Sequence, residues 1–216
     1  MPLPDGNMLF GFADKLTDEQ REYVDSIFDN QLTIVNARSG TGKTTLAVAC
    51  AKLLGKDLVY IFSPVEEGRM GFRPGTQADK EREYLQPLKD ALVEINEDPL
   101  QVIYDDENID VIKAGKAWVY PRSHIFARGS NIKDATVIIG ESQNFTKQEL
   151  RKVLTRIHDS CTVILEGHTG QCDLPAGVES GFAPYIEHFR NKDYAHVCEL
   201  NWNFRGRLAN DADNIE

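Results

Sequence analysis

The chain has 216 residues, 41% hydrophobic and 27% charged, enough to bury a core, which excludes wholesale disorder. Its formal net charge of −10 argues against a general binder of polyanions. No apolar run approaches a membrane span, no basic start leads into a long apolar stretch, and the four cysteines (Cys50, Cys161, Cys172, Cys198) form no CxxC pair. The expectation is a single α/β domain over residues 1–216 in a reducing cytoplasm, with neither a zinc site nor a disulfide framework.

In chain order, residues 17–28 read as a helix with Thr17 as N-cap and Gln20 three positions on, a capping-box pair. LTIV (32–35) reads as a strand, ARSGTGKT (37–44) as a glycine-rich loop, and LAVA with Leu53 and Leu54 as the helix after it. DLVYIF (57–62) is a buried strand, and the Pro- and Gly-rich residues 64–76 form a loop. Residues 79–95 suit a helix bent at Pro87, and residues 117–120, 135–139 and 161–165 suit strands. Helices are expected at 147–157, at 185–189 and after Arg205. Strands alternating with helices imply a mostly parallel sheet covered on both faces, with ligands at the carboxyl ends of the strands. The glycine-rich loop, Glu141 and Gln171 all follow strands and can converge there.

Strand, glycine-rich loop and helix are the context of a P-loop. Gly40 and Gly42 allow the backbone to wrap around phosphate oxygens, and the helix adds its free N-terminal amides and the positive end of its dipole. Arg38, Ser39, Gly40, Thr41, Gly42, Lys43, Thr44 and Thr45 are therefore the candidate nucleotide-binding residues, with Lys43 reaching the β/γ-phosphates and Thr44 offering a hydroxyl to Mg²⁺. Ala37 stands where the pattern usually opens on glycine.

VIIGESQN (137–144) is an apolar strand ending in an acid. P-loop NTPases place there the metal ligand and the carboxylate that polarises water, which nominates Glu141 as base and metal ligand. The position before it is Gly140, which has no side chain to offer. EGHTGQCDLP (166–175) follows another apolar strand; Gln171 is a candidate γ-phosphate sensor, and Glu166 is placed to supply part of the carboxylate missing at Gly140. In NWNFRGR (201–207), Arg205 is a candidate for offsetting charge on the transferring phosphoryl group. Residues 111–133 hold no acid; Lys113, Lys116, Arg122, Arg128 and Lys133 are interleaved there with Trp118, Tyr120 and Phe126. These are the parts of a single-strand nucleic-acid surface, while the stronger reading from spacing alone is a buried strand with solvated cations around it.

These pieces, in this order, resemble the PhoH-like family of P-loop ATPases related to superfamily 1 helicases. SPVEEGRMGFRPGTQADKEREYLQPLKDAL (63–92) is similar to the long segment that follows the family's second strand. ARGSNIKDATVIIGESQN resembles its segment running into a DEAQN box, and GHTGQCDLP with Ser180-Gly181 resembles its GDxxQxDLP and SG pair. Gln20, in LTDEQ, sits where helicase relatives keep an adenine-contacting glutamine, and ELNWNFRG is similar to a motif that places Arg205 near the γ-phosphate. His168 stands in place of the Asp of GDxxQ, as Gly140 does in the DEAQN box.

The resemblance implies a RecA-like fold and an ATP- and Mg²⁺-dependent hydrolase linked to RNA binding or helicase action. Lys43, Glu141, Gln171 and Arg205 would be catalytic, Thr44 and Glu141 would hold metal, and Gln20 would read adenine. Helicases of this lineage need two RecA-like lobes and this chain has length for one, so a homo-oligomer, as in a hexameric ring, is expected. Lys116, Arg122, Arg128 and Lys133 would face single-stranded RNA or a neighbouring subunit. Because Gly140 and His168 remove two carboxylates, the rival reading is an ATP-dependent switch or assembly module with little hydrolysis. A small-molecule kinase leaves residues 63–92 and the Gln171 motif without a role.

Overall fold

A computed structural model describes residues 7–64, 84–106, 115–125 and 131–213. Helix α1 (Asp18–Asp29) begins at the expected capping box: the Thr17 side chain accepts from the Gln20 N–H, and the Gln20 side chain accepts from the Thr17 N–H. Strand β1 (Leu32–Ala37) leads through the glycine-rich loop into α2 (Lys43–Leu54). There follow β2 (Asp57–Phe62), α3 (Gln86–Glu94), the single turn α4 (Pro99–Val102), β3 (Val119–Ser123) and β4 (Ala135–Ile139). The rest comprises α5 (Lys147–Leu154), β5 (Thr162–Gly167), α6 (Phe182–Phe189), β6 (Ala195–Leu200) and α7 (Arg207–Asp213).

The six strands form one sheet in the order β3-β2-β4-β5-β1-β6, and every pairing is parallel. Because strand side chains alternate between faces, the sheet has two cores. On one face Val35, Leu58, Tyr60, Ile138 and Ile164 pack with α1, α2 and α3; on the other Ile34, Ile61, Val137, Ile139 and Leu165 pack with α5 and α6. Each large side chain buried in this way contributes about 1.5–3 kcal/mol. Six successive residues of α2, Leu46 to Ala51, are buried, so this helix is enclosed on all sides, as a uniformly apolar helix should be.

Pro87 stands in the first turn of α3, where its missing N–H costs nothing; of the helix expected at 79–95, residues 79–83 lie outside the described residues. Strand β6 had no continuous apolar run to announce it, because it lies at the sheet edge and Glu199 faces outward. Trp118 lies just before β3, half-buried beneath the Lys52 ammonium at 4.6 Å from the ring centroid, and Val119 beside it is wholly buried. That segment lies at an edge of the described sheet. Residues 65–76 of the expected loop, most of the family-like segment 63–92, and Lys113, Phe126 and Arg128 lie outside the described residues.

Candidate functional site

Strands β1, β5 and β4 are neighbours and parallel, so the segments that leave their carboxyl ends share one crevice. The loop after β1 turns through two left-handed glycines, Gly40 (φ 79°) and Gly42 (φ 81°). Gly42 is the N-cap of α2 and carries no side chain, so no capping oxygen competes for the first amides of the helix. The loop is braced from within by the Thr41 hydroxyl, which donates to the Arg38 carbonyl at 3.0 Å. From outside, the Gln20 side-chain amide donates to the Thr41 carbonyl at 2.9 Å. Gln20 is thus both the third residue of α1 and a strut under the loop, with both ends of its amide engaged.

Lys43 and Glu141 meet as expected, with Nζ 3.9 Å from Oε1. Glu141 leaves the end of β4 in the left-handed region (φ 49°), a costly conformation for a side-chain-bearing residue, and half of its side chain is exposed. Its other oxygen accepts from the Gln143 side-chain amide at 2.7 Å. The Gln143 side-chain carbonyl in turn accepts from the His168 N–H at 3.1 Å. One residue on, Asn144 and Asp173 exchange hydrogen bonds: Asn144 donates to the Asp173 carboxylate at 3.1 Å, and the Asp173 N–H donates to the Asn144 carbonyl at 2.9 Å. The motif after β4 is therefore latched to the motif after β5.

The Thr44 hydroxyl donates to Glu166 Oε2 at 2.8 Å, not to Glu141. Glu166 is 1% exposed, and its second oxygen accepts from the Tyr23 hydroxyl at 3.2 Å. Burial pushes its carboxyl up to about 7, against the pull of the Lys43 charge and the Thr44 hydrogen bond. Glu166 also raises the Tyr23 and Tyr60 phenols beyond what their own burial does.

Arg205 comes to the loop from the segment after β6. The Phe204 N–H donates to the Gly40 carbonyl at 2.9 Å, and the Asn203 carboxamide oxygen accepts from the Arg205 N–H at 2.7 Å. A Cβ at Gly40 would lie 2.5 Å from that same oxygen and 2.8 Å from Arg205 Cγ, so glycine is required there twice, by conformation and by space. Gln171 is exposed, and its backbone N–H donates to the His168 carbonyl at 3.2 Å. Among the described residues, the cations Lys116, Arg122 and Lys133 do not gather in one patch. Lys116 precedes β3 and Arg122 lies near its far end, roughly 20 Å along an extended chain. Exposed Lys133 precedes β4, at the amino end of the sheet, and Lys116 donates to the Gln101 side chain at 3.4 Å.

Sequence reasoning missed Gln143, Asn144, Asp173, Asn203 and Tyr60. The first three stand beside the nominated motif residues, but nothing local shows which partners they choose across the sheet. Glu166 did carry a signal: in TVILEG it occupies the same alternating face as Ile164, so a charge is directed into a core.

The loop offers a triphosphate uncapped amides and a lysine, and the oxygen donors Thr44, Glu166 and Glu141 suit a hard divalent cation such as Mg²⁺. Comparison with known proteins gives the same frame. The family described as PhoH-like protein matches residues 13–211. A PhoH-like protein of Mycobacterium bovis is 35% identical over 191 residues, covering 85% of this chain and 51% of that protein. Protein PhoH of Escherichia coli K12 is 32% identical over 190 residues, covering 85% and 51%. The chain thus spans about half the length of these curated relatives. Among solved structures, the helicase domain of Hef from Pyrococcus furiosus superposes with a TM-score of 0.50 at 13% identity, covering 85% of this chain and 38% of that one, a likeness of fold. No helix among the described residues is long and apolar enough to cross a membrane. The chain belongs to the PhoH-like family, and its all-parallel sheet and phosphate loop are those of a RecA-like P-loop NTPase.

Proposed function

We propose that the chain binds ATP with Mg²⁺ and hydrolyses it in the cytoplasm. The observation that carries this reading is the meeting of an uncapped helix start, Lys43, the Thr44 hydroxyl, two carboxylates and Arg205 around one loop. The amides of residues 39–45 bind the phosphates, and Lys43 offsets charge at the β/γ oxygens. Mg²⁺, when bound, supplies Lewis-acid stabilisation of the phosphate oxygens, and Thr44 with a neighbouring carboxylate holds it. Glu141 orients a water and takes its proton. The water oxygen bonds to the γ-phosphorus as the bond from that phosphorus to the β–γ bridging oxygen breaks, leaving ADP and inorganic phosphate. Arg205, packed over Gly40, offsets charge on the departing group. Gln20 has a second amide proton left for adenine after bracing Thr41. Gln171, exposed after β5, senses the γ-phosphate only by swinging inward.

The reading extends to RNA-stimulated activity, of helicase type, in a homo-oligomer such as a hexameric ring. Arg122 is exposed and lies toward the carboxyl end of β3, on the side of the site. Gly140 favours the second reading, a switch or assembly module that binds ATP and turns it over slowly. Phosphate release from MgATP is measured with and without single-stranded RNA, for wild type and Lys43→Ala. Release that RNA stimulates and Lys43→Ala lowers by at least about tenfold supports the hydrolase. ATP binding without release supports the switch, and absence of ATP binding overturns both.

A further inference from the structure

We propose that in this chain the carboxylate that anchors the nucleotide's divalent cation has moved one strand across the sheet, from position 140 to Glu166, and that Tyr60 fills the place it left. The inference rests on the ATP-binding reading above.

Position 140 cannot hold an acid as the chain stands. A Cβ built on Gly140 would run into the Tyr60 hydroxyl and would lie 2.9 Å from Tyr60 Cζ. Tyr60 is 2% exposed, in the middle of β2, so its ring has nowhere to go. Gly140 still donates its N–H to the Ile61 carbonyl at 2.9 Å, which keeps it within the sheet.

The register shows where the charge went. Ile139 pairs with Leu165, and one further step along β4 and β5 sets Gly140 beside Glu166. Partners in a parallel pair project to the same face about 4.8 Å apart, so Glu166 presents a carboxylate on the face that an acid at 140 would have used. It is also nearer the phosphate loop, because β5 adjoins β1 and Val35 pairs with Glu166. A glutamate is one methylene longer than an aspartate, which extends its reach along that face.

Its contacts fit the task. Glu166 is the carboxylate that receives the Thr44 hydroxyl, the group a P-loop turns toward the cation. The Tyr23 hydroxyl fixes its other oxygen, so neither oxygen is free to rotate away. A buried carboxylate costs stability unless a cation offsets it, and Lys43 is shared with Glu141. Mg²⁺ binds through one or two carboxylates plus phosphate oxygens and retained waters, a set that Thr44, Glu166 and a triphosphate complete.

The test uses Mn²⁺ as a paramagnetic probe with a non-hydrolysable ATP analogue. Free Mn²⁺ is read by electron paramagnetic resonance, and analogue affinity in chelator is read by fluorescence. Glu166→Gln is expected to weaken Mn²⁺–nucleotide binding at least about tenfold and to leave chelator affinity within about twofold. Equal Mn²⁺ affinity in Glu166→Gln and wild type overturns the relocation. If wild type binds no analogue in either condition, the ATP-binding reading itself fails, and Lys43→Ala shows this independently by changing nothing. Should Glu166→Gln not fold, the variant Glu166→Thr with Gly140→Asp and Tyr60→Leu decides, because it returns the acid to β4. Mn²⁺ affinity within about threefold of wild type supports the inference, and a loss beyond about tenfold overturns it.

Discussion

Gly40 carries more constraint than any other residue of the loop. Its left-handed backbone, its carbonyl bond to Phe204 and the 2.5 Å approach of Asn203 all depend on the missing side chain. Gly40→Ala must therefore displace residues 203–205, and with them Arg205. The expected cost is about 1–3 kcal/mol in urea unfolding, with ATP affinity falling by about tenfold or more in a fluorescence titration. The same change at an unconstrained glycine would be close to neutral. At this scale the glycines, Lys43, Thr44 and the Thr17–Gln20 cap were legible, because each belongs to a short pattern with a local cause. The Thr44–Glu166 bond joins residues 122 positions apart, and the Gln143–His168 bond joins residues 25 apart. No local pattern encodes a choice of partner across a sheet, which is why Glu166 was visible as an oddly placed acid but its hydroxyl partner was not.

The elements show the same division. Strands β2 and β4 were legible to the residue because both are buried on two faces and read as unbroken apolar runs. Among the described strands β6 pairs only with β1, and its His196 and Glu199 interrupt the apolar run that would have announced it. The more consequential connection is the latch between the segments after β4 and β5, made by Gln143, Asn144 and Asp173. It ties Glu141 to the loop that carries Gln171. Asn144→Ala removes both reciprocal bonds with Asp173 and should cost about 1–2 kcal/mol. Amide hydrogen exchange over residues 168–175 is expected to speed up at least tenfold, while ATP affinity changes little and phosphate release falls. Unchanged exchange there would show that the loop is held by other contacts.

Across the whole molecule, the candidate site gathers groups from α1, β1, β4, β5 and the segment after β6, which are far apart in sequence and close only in the folded sheet. A ligand bound there stabilises the folded state alone. At a hundredfold excess over its dissociation constant it adds about 2.7 kcal/mol, which for a domain of this size raises Tm by about 5–10 °C. That shift is expected for wild type with MgATP in differential scanning fluorimetry and should be lost in Lys43→Ala. The fold class itself was readable from alternation of strand and helix, since only a parallel sheet with helices on both faces accommodates it. What alternation does not encode is strand order, and the order is what sets β5 between β4 and β1 and so puts Glu166 within reach of Thr44.

The tether between Phe204 and Gly40 has an optical consequence. The chain has two tryptophans, Trp118 and Trp202. Trp202 is 65% exposed and two residues from the amide that grips the loop tip. Trp118 lies before β3, at the opposite edge of the sheet from β6, and is half-buried under Lys52. Any rearrangement of the loop tip thus changes the solvent around one indole and leaves the other in place. The protein carries its own fluorescent indicator of loop occupancy together with an internal reference, and Trp202→Phe and Trp118→Phe separate the two signals without an added dye.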